Sequence, residues 1–441
     1  MSPMAPDPAA GPSAAAPRPG SRGADDGPGL GAGGGRARGP SPFAEVVPTL
    51  WFVAAYAAAI ATWLVAGDAL PGGRLLTVHL FTLGVLTNVV LAFSEHFSRA
   101  VTRTPGQRAA GWTWGANAGI LLVLIGVASD LTPALAAGAS VLVAVVAAAT
   151  WHLRRLRRRS LGARFRWVVQ LYERAHGAFL YGAVLGGLLG VGLVTGPWYL
   201  GVRLAHLHAN ILGWGGLTLL ATLVFFGPTM ARTRIEPGAD ERAARALRRG
   251  AVALGVAVVL LLLLGLPEVG GLAARLGAGL ALAVFAAAAT AVCLPVWRAV
   301  RGARRTAQRP LVLSVLAWLL VVVWADAVVV TAGAWRWLDA LGLAALAGVL
   351  APAILTTLIY LAPMLRGRTT GQRETVRARL EVGAVTRAVT LNLGVATVVV
   401  GATRVLGDLP VTGLGWVLLA GVVLSAALTV LWPLRVGTAA A

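Results

Sequence analysis

Six histidines occur in 441 residues, and five of them fall inside strongly apolar runs. His206 and His208 stand two positions apart in a run that also carries Asn210, Gly213 and Trp214. His79 and His96 share a second run, and His176 lies in a third. An ionisable side chain in lipid-compatible sequence is costly to bury and marks a functional site by default. Neutral imidazole ligates iron, copper and zinc. Two imidazoles facing each other across a helix pair are the axial set of a b-type haem. Holding a haem or copper is therefore the chemistry these residues point to. The competing reading is hydrogen bonding between helices, which needs no cofactor.

Helical geometry limits the combinations. His206 and His208 point about 200° apart at 100° per residue, so one ion cannot easily take both. One serves the site with His79, and the other bonds elsewhere. Asn210 lies one turn below His206 and is placed to orient a ligand histidine; Trp214 follows one turn later, and Gly213 leaves room for a flat group. Seventeen positions separate His79 from His96, roughly 25 Å along a helix, which is most of the bilayer core. His79, His206 and His208 are thus the candidate metal or haem ligands of one cluster, and His96 with His176 of a second. Glu95 beside His96, and Glu173 three before His176, are placed to set a tautomer or relay a proton. Asp326, mid-way along an apolar run, reads as a proton-path residue or an ion-pair partner. His152, just before Arg154, reads as interfacial.

The elements that must position these residues are membrane helices. The chain is 57% hydrophobic and 12% charged, against about a quarter charged for a soluble domain. Apolar runs of spanning length fall near 46–67, 75–95, 113–129, 133–152, 168–195, 203–227, 250–267, 272–297, 310–332, 338–364, 384–404 and 412–433. The expected fold is an all-α integral membrane bundle of about twelve transmembrane helices over 45–434. Residues 1–44 are rich in Pro, Gly, Ala and Ser and read as a disordered cytoplasmic tail; 435–441 read as a second short tail. No internal repeat is evident along the chain.

The net charge is +21, and all the basic residues are arginine. They concentrate in alternate connections, such as Arg154–Arg159, Arg232–Arg249 and Arg366–Arg379. The positive-inside rule then makes both termini cytoplasmic and puts His79, His206 and His208 near the outer face. The partner of this charge is the membrane surface, not nucleic acid. The single cysteine, Cys293, excludes a Cys-cluster metal site.

His79-Leu80-Phe81-Thr82-Leu83-Gly84-Val85-Leu86-Thr87-Asn88 and Ser94-Glu95-His96-Phe97, with the His206–Gly216 stretch, resemble a known membrane domain. Actinobacteria often join that domain to a copper oxidase or copper nitrite reductase domain. It is similar at a distance to haem–copper oxidase subunit I and to the haem- and copper-containing membrane proteins of the nitric oxide response. The resemblance implies a twelve-helix fold, haem b or copper held by histidine, and electron transfer or nitrogen-oxide or copper handling in a bacterial plasma membrane. It further implies a membrane quinol, or a periplasmic or extracellular copper protein on a separate chain, as partner. The tenth and seventh runs lack the histidine pairs that subunit I uses there, so an oxidoreductase component without a complete oxygen-reducing centre is expected. The alternatives are a proton-coupled transporter using the intramembrane His and Asp residues, and a cofactor-free structural subunit.

Overall fold

The structure is a computed structural model that describes residues 46–104, 111–159, 165–403, 405 and 411–432. Both expected tails lie outside the described residues. No strand forms among the described residues. In lipid every backbone N–H and C=O must be satisfied within its own segment, and uninterrupted helices do this. Eleven helices among the described residues are long and apolar enough to cross a bilayer, so the chain is a multi-pass membrane protein.

In chain order the long helices are α1 (Val47–Ala66), α2 (Gly73–Thr102), α3 (Gly111–Ala128), α4 (Thr132–Arg159), α5 (Arg166–Gly190), α6 (Trp198–Met230), α7 (Ala239–Gly265), α8 (Glu268–Gly302), α9 (Arg309–Ala332), α10 (Trp335–Arg366), α11 (Ala384–Ala402) and α12 (Val411–Leu431). Eleven are the apolar ones; α5 stands apart. It is 25 residues long, but Arg166, Glu173, Arg174 and His176 occupy its first half, and Glu173 and His176 are buried against other helices. A short helix, Thr370–Glu381, links α10 to α11. A capping box starts it: Gln372 N–H donates to Thr369 Oγ1, and Thr369 N–H donates to Gln372 Oε1.

Three helices change winding in mid-course. α2 is π-helical over Leu80–Thr87, α6 over Ala209–Gly216 and α10 over Ala344–Leu350. π-turns are rare and gather at functional sites. Each begins one residue after an equivalent position: His79, His208 and Leu343. Each then has a glycine at the same step, Gly84, Gly213 and Gly348. Those glycines abut the first helix of their own set: Gly84 meets the Tyr56 ring on α1, Gly213 meets Ala178 on α5, and Gly348 meets Trp318 on α9. A side chain at any of the three would have to displace its neighbour.

The chain is therefore three consecutive four-helix units, α1–α4, α5–α8 and α9–α12. In each unit the first helix packs on the π-turn of the second, and the third and fourth form the tightest hairpin. In the first and last units that hairpin closes on paired glycines, Gly119 with Gly138 and Gly394 with Gly415. The expectation of no internal repeat is thus corrected. The repeat is carried by a shared His-x4-Gly spacing in only two units, which leaves little trace in so uniform a composition.

α6 is the centre of the bundle: 72% of its span is buried, against 17% for α1 and for α12. It carries two of the six histidines, as α2 also does.

Candidate functional site

His79 sits two turns into α2, near the end of the bundle where connections carry little arginine. Its Nδ1 lies 2.8 Å from Leu75 O. His206 sits about two turns into α6, with Nδ1 2.7 Å from Gly182 O on α5. A carbonyl can only accept, so each Nδ1 bears the proton and each Nε2 is left with its lone pair. Neither Nε2 has a hydrogen-bond partner among the described residues, and neither is sealed from access.

The ring of His206 is admitted by glycine. A Cβ on Gly186 would fall 2.5 Å from His206 Cε1 and 2.8 Å from its Nδ1, and one on Gly182 would strike the Asn210 amide. The Gly182–Gly186 pair is the recess into which His206 and Asn210 fit. Asn210 Nδ2 donates to His206 O at 2.8 Å and lies 3.3 Å from His206 Nδ1, so the amide flanks the ring.

His208 faces the other way. Its Nδ1–H donates to Leu204 O at 2.8 Å, and its Nε2 lies 3.1 Å from both carboxylate oxygens of Asp326 on α9. Both residues are buried. With Nδ1–H committed, one further proton is shared between Nε2 and the carboxyl group. The pair is either imidazolium with carboxylate or imidazole with carboxylic acid, and both forms keep the hydrogen bond. Asp326, read from sequence as a proton-path residue or an ion-pair partner, is the partner of His208.

The second expected cluster is not assembled. His176 is 1% exposed, and both its nitrogens are engaged: Nε2 is 3.2 Å from Ser94 Oγ, and Nδ1 is 3.2 Å from Thr150 Oγ1. Ser94 faces His176, so His96, two residues further along α2, points about 200° away. His96 lies edge-on to Phe97 instead. Glu95 is buried 3.5 Å from His152 Nε2, which gives His152 a partner inside the bundle rather than a purely interfacial place. Glu173 accepts from Arg157, at 2.6 Å and 3.1 Å, and not from His176.

Trp214 packs on His176 and Phe179, with centroids 4.9 and 5.0 Å apart. It does not touch His206, and its buried Nε1 has no hydrogen-bond partner among the described residues. Sequence reasoning missed Ser94 and Thr150 as partners of His176, and Gly182 and Gly186 as the recess of His206. A hydroxyl in a membrane helix usually back-bonds its own turn, as Thr150 also does to Val146 O, so its second role leaves no sequence signal.

No group of three or more His, Cys, Asp or Glu side chains converges among the described residues. Protein copper and zinc sites draw on three or four such ligands, whereas a haem brings four equatorial nitrogens and needs two axial ones. His79 and His206 supply two imidazole nitrogens, fewer than such an ion site draws on. The chain matches no family model and no curated protein.

Proposed function

We propose that the protein holds a haem b between α2 and α6 through His79 and His206, and takes part in electron transfer or nitrogen-oxide or copper handling at a bacterial plasma membrane. The observation that carries this reading is the matched state of the two imidazoles. Each Nδ1–H is tied to a backbone carbonyl, and each Nε2 is open. Such a hydrogen bond fixes the ring and raises the basicity of the ligating nitrogen. α5 counts as a crossing helix in this reading, making twelve, with both termini cytoplasmic and the site near the outer face.

When bound, the haem supplies one-electron chemistry. The chain's residues do the rest. Gly182 and Gly186 admit the His206 ring, Asn210 flanks it, and the apolar faces of α2 and α6 keep bulk water away. His208, two residues from His206 on α6, and Asp326 on α9 share a proton that can compensate charge arriving at the site. α7–α12 contain no histidine, which favours passing electrons over reducing oxygen. A membrane quinol, or a copper protein at the outer face, is the proposed electron partner. Copper held by the same two nitrogens is the second candidate for the site.

The His208–Asp326 pair specifically favours one other reading, a proton-coupled transporter. Spectra of the purified protein, oxidised and dithionite-reduced, with metal analysis, separate the two. A Soret band with sharpened α and β bands on reduction is expected. Protein with neither haem nor copper, expressed with haem supplied, would leave the transporter and the cofactor-free structural subunit.

A further inference from the structure

A cavity of about 110 Å³ opens at the arginine-rich end of the bundle. It lies among the end of α6, the start of α9, the last turns of α10 and the short helix Thr370–Glu381. Its polar lining is Arg232, Arg377, Gln308, Tyr360 and Thr229, and no carboxylate is among the lining residues. One water needs roughly 10–15 Å³ of such space, so a group of several heavy atoms can enter.

Gln308 is the informative residue. It is 8% exposed, yet its side-chain amide has no hydrogen-bond partner among the described residues. Neither amide atom is sealed off from the cavity, so both are available to a partner from outside the chain. Gln308 is also the N-cap of α9, a 24-residue helix with no side-chain cap bond. The N-terminal end of such a helix carries about half a positive charge. The guanidinium groups of Arg232 and Arg377 and the Tyr360 hydroxyl likewise have no hydrogen-bond partner among the described residues. Glu374 and Glu381 share the short helix with Arg377, and neither pairs with it. The lining offers donors and positive charge, walled by Met230, Pro363 and Leu380.

We infer that this cavity binds a phosphate-bearing anion. Guanidinium groups bind phosphate oxygens through paired, charge-assisted hydrogen bonds, and the Gln308 amide adds a neutral donor. The phosphate belongs either to an anionic lipid headgroup at this membrane surface or to a soluble phosphate compound. The inference does not rest on the haem proposal.

The test uses the full-length protein purified in detergent. Native mass spectrometry reads retention of phosphatidylglycerol against phosphatidylcholine with the same acyl chains. Thermal unfolding in inorganic phosphate against chloride, at matched ionic strength, reads the soluble arm. One arm is expected to give binding that Arg377→Gln and Gln308→Leu each weaken by about tenfold. Arg234→Gln, an equal charge loss in the same basic connection, is expected to leave it unchanged. Gln308→Leu fills a buried position with an apolar group and keeps the fold testable if Arg377→Gln unfolds. Phosphatidylglycerol selectivity identifies a lipid headgroup; stabilisation by inorganic phosphate alone identifies a soluble anion. Binding in neither arm, or equal weakening by Arg234→Gln, overturns the inference.

Discussion

Two regions of one bundle hold intramembrane histidines, and they treat them in opposite ways. Toward the arginine-poor end, His79 and His206 each give one nitrogen to a backbone carbonyl and leave the other open. Deeper in, His176 gives both nitrogens to hydroxyls, and His208 gives its second to a carboxylate. The difference teaches that an imidazole in lipid is not a ligand by virtue of being there. The partner of its second nitrogen decides. The closed histidines join helices; the open ones are available to something the chain does not supply.

That contrast can be broken at several points. The largest stability effect is expected at the closed pair. Asp326→Ala leaves the His208 imidazole buried without its acceptor, and should lower stability by about 3–5 kcal/mol, read by thermal unfolding in detergent. Asp326→Asn keeps a hydrogen-bonding partner and should lose less. His176→Ala removes two hydrogen bonds, to Ser94 and Thr150, while each hydroxyl keeps a bond to its own helix, and should lose about 1–3 kcal/mol without altering any bound cofactor. Equal cofactor loss from His176→Ala and His206→Ala would erase the distinction between the two regions.

A subtler variant acts on the open region alone. Gly186→Ala puts a methyl group 2.5 Å from His206 Cε1, so the ring must turn or shift. The expected result is a changed reduced-minus-oxidised spectrum with modest loss of stability. An unchanged spectrum would mean that His206 is not held by that recess. The smallest effect is expected at Arg74–Asp339, a 2.9 Å ion pair joining the arginine-poor ends of α2 and α10. Both side chains are more than half exposed, at 58% and 53%. Asp339→Asn should therefore change stability by no more than about 1 kcal/mol.

The helices were legible from sequence because lipid demands long apolar runs. The expected run 310–332 and the observed Arg309–Ala332 differ by one residue, since Pro310 and the αL Gly333 punctuate it. α2 reaches Thr102 rather than 95 because Ser94, Glu95 and Ser98 find partners or burial inside the bundle, which hydropathy does not register. The divergence of His206 and His208 followed from helical periodicity alone. Their partners did not, because Gly182 O and Asp326 lie 24 and 118 residues away. The three-unit repeat was hidden for a related reason. Its third unit has Leu343 where the first two have His79 and His208, so only backbone winding and the following glycine reveal it.

The central claim is that open nitrogens, not histidines as such, define the site. The most direct test is haem content per chain, by absorbance and metal analysis, in His79→Ala, His206→Ala and His176→Ala prepared alongside the wild type. The account predicts that the first two lose most of their haem while the third retains it. Haem retained in a combined His79→Ala, His206→Ala protein would contradict it.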